Sequence, residues 1–339
     1  MTFSRKLTAL AAGAVALALT LAGCGGSDDK AADGGPLQEV NFGYIADYNG
    51  TSLLAIANDQ KLWQKHGLKA STKVFTNGPL QIQALGTGDL DFGYIGPGAF
   101  WLPASGQAKV IAINTLGNAD RVIARSGTTS IDQLRGKTVG VPEGTSGDMI
   151  LTLALRKAGM SKSDLKVVNM DASTIVSAFA SKKIDAAGFW YPAIGTIKKQ
   201  VPDLTELAKN SDFEAQVSFP TAFVAGNDVV SGQKDKTAKT IAVLRDAMAY
   251  RSANTDQSIE LTAKMLNVPV DQVKADAGNV KVLSVDELDA KTKDGTIDKW
   301  LNGMADYFVQ AGKLKSKTDP KTYYTGDLFT SASSGSVAK

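Results

Sequence analysis

Short apolar runs rich in β-branched and aromatic residues alternate along this chain with longer stretches in which apolar residues recur three and four positions apart. EVNFGYI (39–45), STKVFT (71–76), LDFGYI (90–95), KVIAINTL (109–116), KTVGVP (137–142), LKVVNM (165–170) and AAGFW (186–190) read as strands. Between them, TSLLAIANDQKLWQKHG, QIQALGTG, DMILTLALRKAG and IVSAFASK have helical spacing and end near glycine or lysine. Such alternation predicts an α/β fold with largely parallel sheets. From Lys234 the pattern becomes mainly helical, through TAKTIAVLRDAMAYRSAN, SIELTAKML and TIDKWLNGMADYFVQAG, and the tail after Tyr324 is expected to be loose.

One glycine-rich stretch, ALGTGDLDFGYIGPGA (84–99), carries neither GxxxxGK[ST] nor GxGxxG running into a helix, so it is not a nucleotide loop. It has an echo instead. AFASKKIDAAGFWYPA begins at Ala178, at a constant offset of 94 residues. The offset aligns Leu90 with Ile184, Asp91 with Asp185 and Ala99 with Ala193. Each copy reads as a helix end, a tight turn with an acid, a short buried strand and a proline-bearing loop. Two copies at so long a period suit two similar lobes facing a cleft rather than a solenoid.

The first residues change the picture of where the chain works. Arg5 and Lys6 precede an apolar run from Leu7 to Leu21, too short to cross a membrane as a stable helix, and small residues lead to Cys24. Residues 1–23 read as a secretory signal peptide. The sequence LAGC resembles a bacterial lipobox, by which Cys24 would become the lipidated first residue, held at the outer face of the cytoplasmic membrane. Cys24 is the single cysteine of 339 residues, so no intrachain disulfide is possible. Residues 24–38, including GGSDDKAADGGP, lack an apolar pattern and suit a flexible tether.

The chain has 37 Lys+Arg against 34 Asp+Glu, and losing Arg5 and Lys6 with the leader leaves a nearly neutral body. That balance offers no electrostatic footprint for nucleic acid. His66 is the only histidine, expected to be exposed at a helix end, so His-based triads, zinc sites and general bases are poorly supported. No cofactor or metal motif stands out, and the expectation is a non-enzymatic monomer.

A family resemblance now becomes specific. Gly117 to Met160, with GNADRVIARSGTTSIDQLRGKTVGVPEGTSGDM at its head, then DLKVVNM, IDAAGFWYPA and FPTAFVAGNDVV, resembles solute-binding proteins of ABC importers. Within that superfamily the chain is most similar to the taurine, aliphatic sulfonate and nitrate group, over nearly all of residues 39–313. The resemblance implies a two-crossover, periplasmic-binding-protein type II fold. Residues 39–120 plus 223–313 would form lobe 1, residues 121–222 lobe 2 and residues 314–339 a C-terminal tail, with crossings near Asp120 to Ile123 and Thr221 to Val224. It also implies closure on a small anionic solute and delivery to a membrane permease with its ATPase. Taurine or a related sulfonate is the leading solute; alkanesulfonate, nitrate, bicarbonate or an aromatic carboxylate are alternatives. A sensory or adhesive lipoprotein of the same fold is a different class of answer.

Ligands of open α/β sheets sit beyond the carboxyl ends of strands, where helix N-termini favour anions. Three loops qualify. Gly98 and Ala99 follow LDFGYI, Thr145 and Ser146 follow KTVGVP, and Tyr48 and Asn49 follow EVNFGYI, with Tyr48 as a wall. Thr145 or Ser146 could equally cap its own helix, as Asn49 or Thr51 could. By the resemblance, Asp120 occupies a position where taurine-binding relatives have an acid, and would pair with an ammonium group; a pair with Arg121 is the plain alternative. Trp190 could cover the apolar middle of a ligand or sit in the core, and Ser218, Thr221 and Phe223 are candidates for the remaining wall. The chain departs from its relatives at Gly-Pro-Gly-Ala (96–99), where Ser-Ser-Pro is frequent, and at Ala222 and Phe223, where more polar residues occur.

Overall fold

The computed structural model describes residues 35–332. The expected leader, the lipid anchor at Cys24 and most of the expected tether lie outside the described residues. Eleven strands are present among those described. They are β1 (Gln38–Ile45), β2 (Leu68–Phe75), β3 (Phe92–Ile95), β4 (Lys109–Gly117), β5 (Asp120–Ala124), β6 (Thr138–Val141), β7 (Lys166–Asn169), β8 (Ala186–Trp190), β9 (Thr205–Lys209), β10 (Pro220–Ala225) and β11 (Val280–Val282). They form two sheets, β11-β4-β10-β3-β1-β2 and β7-β6-β8-β5-β9, with helices packed on both.

The sheets are mixed rather than largely parallel. β1 pairs in parallel with β2 and β3, and β6 with β7 and β8. β10 runs antiparallel to β3 and β4, β11 to β4, and β5 to β8 and β9. The reversal comes from the two crossings. The chain leaves the first sheet after Gly117 and opens the second at Asp120; it leaves the second after Lys209 and re-enters the first at Pro220. Both crossings fall a few residues earlier than the sequence suggested, so Asp120 belongs to the second sheet and Thr221 and Ala222 to the first. β5 and β10 escaped the sequence reading because DRVIA and PTAFVA carry charged residues or proline, although every residue of each is buried.

The 94-residue echo is a repeated construction. Asn77 caps the helix Gly78–Thr87 by accepting from Leu80 N–H at 3.0 Å, and Asp171 caps the helix Ala172–Ala180 by accepting from Thr174 N–H at 2.8 Å. Each helix ends beside a left-handed residue, Gly88 with φ 79° or Lys182 with φ 63°. Next, Asp91 Oδ2 accepts from Asn41 N–H at 2.8 Å, as Asp185 Oδ2 does from Thr138 N–H at 2.9 Å. In both lobes a carboxylate thereby ties the incoming strand to the neighbour it joins in parallel.

Apolar packing then holds the lobes. Phe42 lies between Phe92 and Phe223, with ring centroids 5.8 and 5.7 Å away, beneath the first sheet's centre. A fully buried phenylalanine contributes about 1.5–3 kcal/mol through area removed from water. One face of the second sheet shares in a core continuous with the first lobe, through Val122, Val139, Ile150 and Leu151. Its other face packs Ile123, Ile175, Phe179, Ile184, Phe189, Ile194 and Ile197. The expected loose tail is ordered as far as it is described. Val110 N–H donates to the Tyr323 carbonyl at 2.7 Å, and the helix Gly326–Ser331 buries Phe329 beneath Arg245. The aromatic residues Tyr323, Tyr324 and Phe329 explain this, since they give the segment an apolar anchor that its Ser- and Gly-rich end lacks.

Candidate functional site

The two sheets point the carboxyl ends of β1, β3 and β6 at one another, and a cavity lies between them. It contains about 480 Å³ of space free of protein atoms, of which the centre of a water molecule can occupy only about 40 Å³. Such a space suits a ligand of a few heavy atoms. Its walls are Ile45, Asp47, Asn49, Gly78, Tyr94, Gly96, Pro97, Ala99, Gly117, Ala119, Asp120, Thr145, Ser146, Trp190, Tyr191 and Thr221.

The lobes meet closely around it. A methyl group on Gly98 would fall well inside 3.0 Å of the Thr145 carbonyl and the Ser146 nitrogen, so this glycine lets the first lobe's loop touch the second lobe's backbone. Trp101 Nε1 donates to the Gly144 carbonyl at 3.4 Å, and Lys313 pairs with Glu143 at 3.0 Å. Arg156 lies over the Tyr307 ring and donates to Gln310 at 3.4 Å. The cavity is thus that of a closed molecule.

Asp120 sits on the second-lobe side, 3 % exposed. Its backbone N–H donates to Asn210 Oδ1 and its Oδ2 accepts from Asn210 Nδ2, both at 2.8 Å. Burial raises its pKa, against the lowering effect of hydrogen bonds from Ser146 and Asn210 and of the Arg121 charge. The Arg121 guanidinium is occupied elsewhere. It donates to Glu206 at 3.0 Å, to Asn279 Oδ1 at 3.0 Å and to the Asn118 and Asp120 carbonyls. Asp120 therefore has no ion-pair partner among the described residues, contrary to the plain alternative of a pair with its neighbour.

Three helix N-termini approach the cavity, and they are not equivalent. Asp47 caps the helix Tyr48–Asp59, its Oδ1 accepting from Gly50 N–H at 2.6 Å, and its negative charge offsets the positive end of that helix. Asn77 caps the helix Gly78–Thr87 with a neutral amide. The helix Ser146–Lys157 has no side-chain cap: the Thr145 hydroxyl donates backward to the Pro142 carbonyl at 2.6 Å. Its first N–H groups are the anion-favouring part of the site, while the Ser146 hydroxyl is turned to Asp120. Gly147 seats this helix, since a Cβ there would strike the Gly188 carbonyl of β8.

The far wall is a fixed polar network. Asn49 accepts through Oδ1 from Thr115 at 2.7 Å and through its carbonyl from Asn114 at 2.9 Å, while Thr115 and Thr221 hydroxyls lie 2.8 Å apart. Arg251 stands behind it, donating to Ser52 at 3.1 Å and to Asn114 Oδ1 at 2.8 Å, with burial lowering its pKa to about 10.

Likeness to known proteins decides which kind of molecule this is. The model of the family described as NMT1/THI5 like matches residues 51–258. The chain belongs to that family. This NMT1/THI5-like protein is 58% identical, over 86% of its own length and 91% of the other's, to a Brucella abortus (strain 2308) protein whose name places it among binding proteins. It is 23% identical to the taurine-binding periplasmic protein of Escherichia coli (strain K12), over 80% and 87% of the two chains. Its fold matches that of the alkanesulfonate-binding protein SsuA from Xanthomonas axonopodis pv. citri, solved with MOPS. The TM-score is 0.65 at 19% identity, covering 84% of this chain and 97% of that one. The α/β, periplasmic-binding-protein-like fold is the one such solved structures share.

Of the residues singled out in the sequence of this NMT1/THI5-like protein, Asn49, Ala99, Asp120, Thr145, Ser146, Trp190 and Thr221 line the cavity. Tyr48, Gly98 and Ser218 do not. Tyr48, first in its helix, turns its ring into a pocket of Ile259, Ala263 and Val273, and Gly98 contacts the opposite lobe. Ser218 is half-buried in the return crossing, and Phe223 is in the core beside Tyr94. His66 is not exposed as expected: its Nε2 lies 2.9 Å from Asp246 Oδ2, away from the cavity. Asp47, Tyr94 and Tyr191 were missed. Tyr94 had a legible signal, since it stands two residues before Gly96 at the carboxyl end of β3, where side chains meet ligands.

Proposed function

We propose that this protein is the extracytoplasmic solute-binding component of an ABC importer, closing its lobes around a small aminosulfonate, most directly taurine, for delivery to a permease. The observation that carries the reading is Asp120: a carboxylate, 3 % exposed, facing a small closed cavity with no cationic partner among the described residues. A buried carboxylate of this kind is stabilised by an ammonium group with charge-assisted hydrogen bonds. The sulfonate end would meet the uncapped start of the helix Ser146–Lys157, and Trp190 and Tyr191 would cover the methylenes. Nitrate, bicarbonate, simple alkanesulfonates and aromatic carboxylates all leave Asp120 without a cationic partner. The role in this reading is one of binding, as in the name of the Brucella relative.

A thermal-shift panel of taurine, ethanesulfonate, nitrate, bicarbonate and benzoate tests this. Taurine at a hundredfold excess over Kd stabilises the folded protein by about 2.7 kcal/mol. Absence of a shift with every member would remove the reading; a shift with nitrate alone would move the protein to a different solute.

A further inference from the structure

We infer that Asp47 is a second specificity-determining carboxylate of this cleft, holding the ligand's positively charged nitrogen between the lobes together with Asp120. The inference rests on the cleft being a solute site, as proposed above. Asp47 follows β1 of the first sheet and Asp120 opens β5 of the second, so one nitrogen held by both spans the closure. Asp47 is 6 % exposed and, like Asp120, has no Lys, Arg or His partner among the described residues. The cavity walls contain no basic side chain at all, and Tyr94 and Trp190 are among its aromatic lining residues.

The local fold does not require this charge. An N-cap needs only a neutral acceptor, and Asn77 performs that duty for the helix Gly78–Thr87. A carboxylate at Asp47 is therefore an extra feature of the site, facing a space too small for water to solvate it well.

Its electrostatic neighbours point the same way. Asp276, from the helix Val270–Ala277, donates no counter-charge; its Oδ2 accepts from Tyr48 N–H at 2.7 Å. Burial first, then Asp276 and Asp120, push Asp47 well above the usual carboxylate range, with the Gly50 and Asn49 N–H groups opposing. The Tyr94 hydroxyl stands in the field of all three acids, and Arg251 is engaged with Ser52 and Asn114. Burial and the neighbouring acids thus disfavour the Asp47 carboxylate while the cavity holds no counter-charge. A cationic nitrogen beside it favours the carboxylate, so a proton held there is released on binding. The substrate class is thereby narrowed to solutes with a cationic nitrogen carrying at least two N–H donors.

The test uses Asp47→Asn, which keeps the cap, and the matched probes taurine, ethanesulfonate and ethanolamine, by calorimetry at pH 6 in buffers of different ionisation enthalpy. Taurine is expected to bind the wild type with proton release and to bind Asp47→Asn at least tenfold more weakly with less release. Any response to ethanesulfonate should be unchanged or improved by the substitution. Equal taurine affinity and proton release in both proteins would overturn the role of Asp47 while leaving the aminosulfonate reading intact. Binding of ethanolamine but not taurine, lost in Asp47→Asn, would uphold the carboxylate and remove the sulfonate. If the wild type binds ethanesulfonate as tightly as taurine, a cation-selective site is wrong.

Discussion

Gly98→Ala isolates lobe closure from the chemistry of the cavity. Gly98 sits in the short turn Pro97–Ala99, and its missing Cβ is what lets that turn rest on Thr145 and Ser146 of the other lobe. A methyl there lies well inside 3.0 Å of three backbone atoms, where ordinary contact begins at 3.4 Å, and backbone cannot rotate aside as a side chain can. The lobes must separate locally by on the order of 1 Å, at the overpacking cost of about 1–3 kcal/mol. Under the proposed closure the clash arises only as the lobes meet around ligand, so the cost falls on binding, weakening taurine by about 5- to 150-fold. The assay pairs calorimetric Kd with urea denaturation. Weaker binding with an unchanged unfolding midpoint is expected, since each lobe keeps its core. Unchanged affinity would refute the reasoning, as would a fall in stability that accounts for the lost binding.

Other consequences arise from the same contacts. Gly147→Ala places a methyl against the Gly188 carbonyl within a single lobe, so it should lower unfolding free energy by about 1–3 kcal/mol, read by denaturant titration. Asp276 is raised by burial to about 7, above its unfolded value. The folded state therefore binds the proton more tightly, and this contribution to stability is full below about pH 4 and lost as pH rises through 7. Asp276→Asn should flatten that slope in melting temperature. Lys313→Met removes a half-exposed pair with Glu143 across the lobes, and should weaken taurine by less than about fivefold, an effect that added salt mimics.

Much of the fold was legible because the chain repeats itself. The caps Asn77 and Asp171, the left-handed ends Gly88 and Lys182, and the strand-tying acids Asp91 and Asp185 all fall at the 94-residue offset that the glycine-rich stretch first suggested. The crossing strands were not legible, since Asp120, Arg121 and Pro220 break the apolar pattern although all three are buried. At the cavity, Ser146 and Trp190 follow strands that the sequence made legible, whereas Asp120 was singled out by the family resemblance alone. Orientation was the missing information. Tyr48 and Asn49 are adjacent, yet one faces the helices behind and the other the cavity, and nothing in the sequence distinguishes them. Gly98 was read as part of a ligand loop; tertiary packing sets it against Thr145 and Ser146 of the other lobe.

The most direct measurement is a calorimetric titration of taurine into the wild-type protein and Asp120→Asn. The wild type should bind one molecule per chain, and the variant should bind about 10- to 150-fold more weakly, the loss of a charge-assisted hydrogen bond of about 1.5–3 kcal/mol. Equal affinities in the two proteins, or no binding of taurine to the wild type, would contradict the account.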